Sequence, residues 1–174
     1  MDTYLEYMVK PKKTLVQILT CVAYYLLAAT VSVVLIFARI PLLIFFYPAL
    51  VFLAFWGAYK MSSKYSVEYE YILTNDELDV DRVIAKKERK RLLTVSVRKF
   101  EIMAPAKGED FIKDWTSSDI KVKFDASCGE GSENRYYAKF VNKRNENMIL
   151  VFNPTEAMCK SIKQSNMRNV YLEG

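Results

Sequence analysis

The chain contains no histidine. That absence removes the commonest general base, the usual catalytic triads and most mixed zinc sites. Catalysis is therefore not expected, and no cofactor or metal is implied. Cysteine is scarce too. Cys21, Cys128 and Cys159 lie far apart with no spacing that reads as a metal or redox motif, so a reducing compartment is the simplest setting. Charge is missing from one whole region: between Thr14 and Tyr59 only Arg39 is ionised, whereas everything beyond Tyr59 is densely charged. A neutral mean hydropathy and a net charge of +5 over 174 residues conceal this split. The length suits one domain of ordinary size. In a soluble protein a pI near 9.0 would hint at nucleic acid. Beside a bilayer the same basic excess suits an anionic inner leaflet, and no nucleic-acid partner is expected.

The uncharged region is long enough for two membrane spans. Thr14 to Ala38 is 25 residues, about 37 Å of helix against a hydrocarbon core of about 30 Å. Ile40 to Tyr59 adds 20 more, again about 30 Å. Only Ala38-Arg39-Ile40-Pro41 lies between them, so the two spans read as a tight antiparallel hairpin in which Pro41 starts the second helix and Pro48 kinks it. Lys10, Lys12 and Lys13 precede the first span, and Lys60 and Lys64 follow the second. Both termini are therefore expected in the cytoplasm. A cleaved signal peptide is disfavoured because its apolar region should be shorter. A buried soluble hairpin would need a larger core than the remaining chain supplies. A re-entrant hairpin broken at Pro41 and Pro48 stays open and leaves the ends on the same side. The initial segment Met1 to Lys13 either lies along the interface or forms a partly ordered tail.

After Ser62-Ser63-Lys64 the pattern turns to alternation. Val67, Tyr69, Tyr71 and Leu73 share one strand face, opposite Ser66, Glu68 and Glu70; Asn75-Asp76-Glu77 turns the chain into a second strand carrying Leu78, Val80, Arg82 and Ile84. Leu93, Val95 and Val97 alternate in a third, and the change of parity at Phe100 and Ile102 predicts a bulge near Lys99. Phe111, Ile112 and Trp115 have helix-like spacing inside a loop, where they either plug the sheet or dip into the interface. Further strands are expected around Ile120 to Phe124, Tyr136 to Phe140 and Met148 to Phe152. Asn153-Pro154-Thr155-Glu156 then starts a closing helix to about Gln164, with Asn153 as its cap and Met158 and Ile162 facing inward. Such an order, short antiparallel strands ended by a helix, suits a small barrel or curved sheet plugged at one end.

The stretch Tyr69-Glu70-Tyr71-Ile72-Leu73-Thr74-Asn75-Asp76-Glu77-Leu78, followed by Val80, Arg82, a basic turn and Leu92-Leu93-Thr94-Val95-Ser96-Val97, resembles bacterial pleckstrin-homology-like (PH-like) domains. The unit Val151-Phe152-Asn153-Pro154 is similar to their final strand and helix. The resemblance covers most of Tyr65 to Ser165, departs from the family where Val83-Ile84-Ala85 replaces a turn glycine, and implies architecture rather than activity. The chain also resembles small membrane proteins of Gram-positive bacteria. The fold class expected is thus an α+β membrane protein, a two-helix transmembrane hairpin followed by a PH-like antiparallel β barrel or curved sheet of six to seven strands capped by a C-terminal helix. Its divisions fall at 1–13 for the N-terminal segment, 14–59 for the hairpin (14–38 and 40–59), 60–64 for a linker, 65–165 for the PH-like domain and 166–174 for a tail.

The sharpest local feature is a run of basic residues, Lys86, Lys87, Arg89, Lys90 and Arg91, interrupted only by Glu88 and placed at a hairpin tip. Close to an anionic leaflet each could add about 1 kcal/mol of attraction, within a Debye length of about 8 Å. A plain solvated turn that deters edge pairing is the competing reading. Asp79 and Asp81 share a strand face and read as an outward acidic stripe rather than a metal site, with Asp76 nearby. Cys128-Gly129-Glu130-Gly131-Ser132 reads as a mobile loop, not a phosphate loop. The tyrosines read as sheet packing. The expected role is a membrane-anchored interaction or scaffold protein at the inner face of the cell membrane, with membrane lipids or a membrane protein as partner. The alternative is an accessory subunit of a transporter or secretion complex, docked through small residues such as Ala28, Ala29 and Ser32.

Overall fold

The computed structural model describes residues 3–38, 40–142 and 144–172. Arg39, the charge expected at the hairpin turn, lies outside them. The chain forms two compact units: residues 1–12, 68–83 and 89–174 in one, and residues 13–67 with 84–88 in the other.

The first unit is built on two four-stranded sheets rather than a closed barrel. One contains β1 (Tyr4–Val9), β2 (Val67–Thr74), β3 (Glu77–Ile84) and β4 (Glu88–Ser96), in that spatial order. The other contains β5 (Phe100–Pro105), β6 (Ile120–Asp125), β7 (Tyr136–Val141) and β8 (Asn147–Phe152), in the order β5-β7-β8-β6. Eight strands replace the expected six to seven, and β6 runs parallel to β8 where antiparallel pairing alone was expected. The extra strand is β1. Within the initial segment Tyr4–Val9 is a strand and not a loose tail, because Tyr4 pairs with Thr74 and Val9 with Tyr69 in an antiparallel ladder. The helical region is therefore inserted between two hydrogen-bonded neighbours, β1 and β2.

The parity change before Phe100 is a corner between sheets. A 3-10 turn, Val97–Lys99, ends β4 and starts β5, and the register irregularity follows it, between Phe100 and Ile102. Tyr71 and Leu73 of β2, Leu78 and Val80 of β3, and Leu150 and Phe152 of β8 are sealed in a common core. Met158 and Ile162 of α4 (Glu156–Ser165) complete it, as their spacing predicts. The cap of α4 is Thr155, not Asn153: the Thr155 hydroxyl accepts from the Met158 N–H at 3.3 Å. Residues 166–172 are not a loose tail, since Val170 is buried and the Tyr171 N–H donates to the Met103 carbonyl at 2.7 Å.

A second, smaller core lies on the other face of the β5–β8 sheet. There Ile120, Tyr137, Ile149 and Val151 are covered by Phe111 and Trp115 of α3 (Gly108–Thr116). The expected single helical turn is thus a nine-residue helix, and its aromatic residues cover a sheet face instead of plugging an end. Ile112, the third member of that trio, is exposed.

In the second unit α1 (Leu15–Ala38) has 24 residues, about 36 Å. The return is composite: a 3-10 helix, Pro41–Phe46, and then α2 (Tyr47–Ser63), with 6 and 17 residues. At rises of about 2.0 and 1.5 Å per residue they span roughly the same length as α1. Pro48 does not kink the helix; it stands in the first turn of α2, where its missing N–H costs nothing. Two helical stretches, Leu15–Ala38 and Ile44–Ser63, the second including the end of the 3-10 helix, are long and apolar enough to cross a membrane. They pack on one another, and their buried residues, Ala28 and Ser32 of α1 and Ala58 of α2, are small enough to let the backbones approach.

Candidate functional site

The five basic residues singled out by the sequence divide into two groups. The β3–β4 connection is a two-residue turn in which Ala85 and Lys86 both have positive φ, 53° and 56°, closed by the Lys87 N–H donating to the Ile84 carbonyl at 3.1 Å. That geometry is the type I′ hairpin turn, which asparagine and glycine normally occupy. Two residues with a Cβ in the left-handed region cost about 1 kcal/mol each. The departure from the family's turn glycine therefore changes the chemistry of the turn while keeping the hairpin. The turn belongs to the same compact unit as the helices, and the Ala85 N–H donates to the Ser66 carbonyl at 2.7 Å, three residues past the end of α2. Lys86 and Lys87 are exposed at this position. Lys60, in the last turn of α2, extends over the Trp56 ring at 5.1 Å.

Arg89 and Arg91 are committed elsewhere. A guanidinium nitrogen of Arg89 lies 2.9 Å from Glu70 on β2. Arg91 reaches both Asp79 and Asp81 on β3, at 2.9 Å each. Two of the five basic residues are thus paired with Glu70 and with the acidic stripe across β2, β3 and β4. Lys86, Lys87 and Lys90 form no ion pair among the described residues. Asp76 pairs separately with Arg98 at 3.1 Å, and no cluster of three or more metal-ligating side chains converges among the described residues. Glu70 is only 1% exposed although it lies on the face opposite Tyr71 and Leu73. Burial, with a hydrogen bond that the Glu70 carboxyl donates to the neighbouring Glu6 carboxylate, raises it above the ordinary value.

The glycine-containing loop is tied to the sheets by Asn153, which explains why that residue does not cap α4. Its side-chain oxygen accepts from the Cys128 N–H at 2.7 Å, and its amide donates to the Ser132 hydroxyl and the Glu133 carbonyl. Its backbone N–H donates to the Tyr71 hydroxyl, which in turn donates to the Ala126 carbonyl at 2.6 Å. Burial raises the Tyr71 phenol and, around α4, pushes the Cys159 thiol up to about 11. Of the tyrosines, Tyr71 and Tyr137 serve as packing, as their alternation predicts. Tyr137 lies 5.2 Å from the Phe111 ring and donates to Asp114, and burial followed by that carboxylate pushes its phenol up to about 12.

Sequence reasoning missed one feature altogether. β4 is one edge of its sheet, opposite β1, and β6 one edge of the other, opposite β5, and both line one cleft of about 460 Å³. No local signal could have found it, because it exists only once the strand order is known.

The family model described as "Bacterial PH-like domain (DUF6106)" matches residues 1–172, taking in β1, the helices and both sheets. The two-sheet unit closed by a C-terminal helix is thus of the PH-like class. The chain belongs to this bacterial PH-like domain family. No curated protein and no solved structure matches it.

Proposed function

We propose that the protein is a membrane-anchored interaction module whose PH-like unit stands on the cytoplasmic face of the cell membrane and contacts anionic lipid through the β3–β4 turn. The observation that carries this reading is the Ala85 to Ser66 hydrogen bond, which keeps Lys86 and Lys87 beside the chain's exit from α2. There they join Lys60 and Lys64, and each cation held within the Debye length of about 8 Å of an anionic leaflet adds about 1 kcal/mol of attraction. Insertion of the helices between adjacent strands supports an even number of crossings, with both ends of the hairpin on one side. Lysine flanks favour the cytoplasm as that side. The reading is non-enzymatic: the family implies architecture, and tethering at the membrane lets weak contacts fill by raising effective concentration. Docking as an accessory subunit through Ala28, Ala29 and Ser32 is less well supported, since Ala28 and Ser32 are already buried in the hairpin and Ala29 is half-buried.

The test uses the full chain in nanodiscs of neutral or of 30% anionic lipid, with lysine acetylation mapped by mass spectrometry. Lys86 and Lys87 should be acetylated several-fold more slowly in the anionic discs at low salt, relative to exposed Lys160 on α4, and the difference should vanish at high salt. Equal labelling in both discs would sink the lipid contact.

A further inference from the structure

Successive residues of a strand point to opposite faces, yet Leu92, Leu93, Thr94, Val95 and Ser96 all line the cleft between β4 and β6. Five consecutive residues can do so only if the cleft opens onto the backbone edge of β4. The opposite wall includes Val122 and Phe124 of β6, which are half-buried and alternate with exposed Lys121 and Lys123. A free edge is normally blunted by charge, and the first half of β4, with Arg89, Lys90 and Arg91, is so protected. Protection stops at Leu92, where the cleft begins. Two unpaired strand edges therefore border an apolar space with no charged side chain on the β4 wall.

We propose that this cleft receives an extended segment of a partner protein as an added strand, with apolar residues at alternate positions turned inward and acidic residues turned outward. Backbone pairing to an exposed edge supplies affinity in such additions, and alternate side chains supply specificity. The acidic requirement comes from charge complementarity. Outward residues of a strand beside β6 would neighbour Lys121 and Lys123, and Lys99 and Arg144 stand on the rim. Two carboxylates, Glu77 and Glu146, offset Lys99 and Arg144 on the rim, Glu146 also accepting from the Asn142 amide at 2.9 Å, so the basic excess is that of Lys121 and Lys123. Lys123 also lies over the Trp115 ring at 5.7 Å, which orients it without neutralising it. All of these residues belong to the two-sheet unit, so the proposal stands apart from the lipid reading.

The experiment uses the full chain in neutral phosphatidylcholine nanodiscs and two fluorescein-labelled heptapeptides, one alternating glutamate with valine and the other lysine with valine. The acidic peptide should bind at least tenfold more tightly by anisotropy and should protect the amides of Leu92 to Ser96 from hydrogen exchange. Val122→Lys should abolish binding. Because that change touches partly buried packing, the exposed double substitution Lys121→Glu with Lys123→Glu provides an independent arm and should shift the preference toward the basic peptide. Equal binding of the two peptides, or an unaltered preference in the double variant, would overturn the proposal. So would protection of these amides that grows with protein concentration in the absence of peptide, since the occupant would then be a second copy of the chain.

Discussion

The two units of this chain use the same apolar residue types in opposite ways. In the sheets, Leu73, Leu150 and Phe152 have no exposed surface; on the helices, Leu15 and Phe37 are each 79% exposed and Phe45 is 89% exposed. Water as the only solvent would make the second arrangement costly at about 25 cal/mol per Å² of apolar surface. Acyl chains as the solvent remove that cost, and helix association then depends on close packing of small residues, which is where Ala28, Ser32 and Ala58 lie. The contrast teaches that burial marks the core in one unit and the helix contact in the other.

Truncation of matched side chains separates the two kinds of burial. Phe152→Ala should destabilise the two-sheet unit by about 4 kcal/mol, whereas Leu26→Ala on the exposed face of α1 should leave that unit's stability unchanged. Urea titration of the full chain in micelles measures both, read by Trp115 emission in a Trp56→Phe background; equal losses would erase the distinction. A smaller effect, about 2 kcal/mol, is expected for Asn153→Ala, which strands the Cys128 N–H and the Glu133 carbonyl. Its signature is faster amide exchange in Cys128 to Glu133 with the α4 cap at Thr155 undisturbed. The smallest effect concerns Glu70. Its carboxyl is raised in the fold above the ordinary 4.5, so the folded state holds the proton more tightly than the unfolded chain does. Stability from this group is therefore complete below that value and declines as pH rises through the raised one. Glu70→Gln should flatten that decline, and parallel pH profiles for the two proteins would contradict the assignment.

The elements with an unbroken local pattern were the ones that could be read directly. Thr14 to Ala38 has no charge to interrupt it, and the Val67 to Leu73 alternation specifies its inward face without reference to any partner. Pairing was not legible in the same way. Tyr4 to Val9 is short, and its partner β2 begins 58 residues after it ends, so nothing local marks it as a strand of the same sheet. The parallel β6–β8 pair likewise depends on a long connection. At Asn153 two uses of one side chain compete, and the loop's unpaired backbone groups prevail because Thr155 can cap the helix instead. The basic run and the acidic stripe were each visible, but the pairing between them requires β2, β3 and β4 to lie side by side. Only then do Lys86, Lys87 and Lys90 stand apart from Arg89 and Arg91.

Placing the helices between β1 and β2 also imposes an order on biogenesis. β1 leaves the ribosome first, yet its ladder cannot form until α1, the turn and α2 have all been synthesised and the chain has returned. In the proposed membrane reading, each crossing reaches the bilayer while β1 waits without its neighbour, and pairing of Val9 with Tyr69 becomes available only once the insert has been made. The sheet thus completes only after the hairpin has been laid down, which makes the first strand a built-in record that the insert is in place.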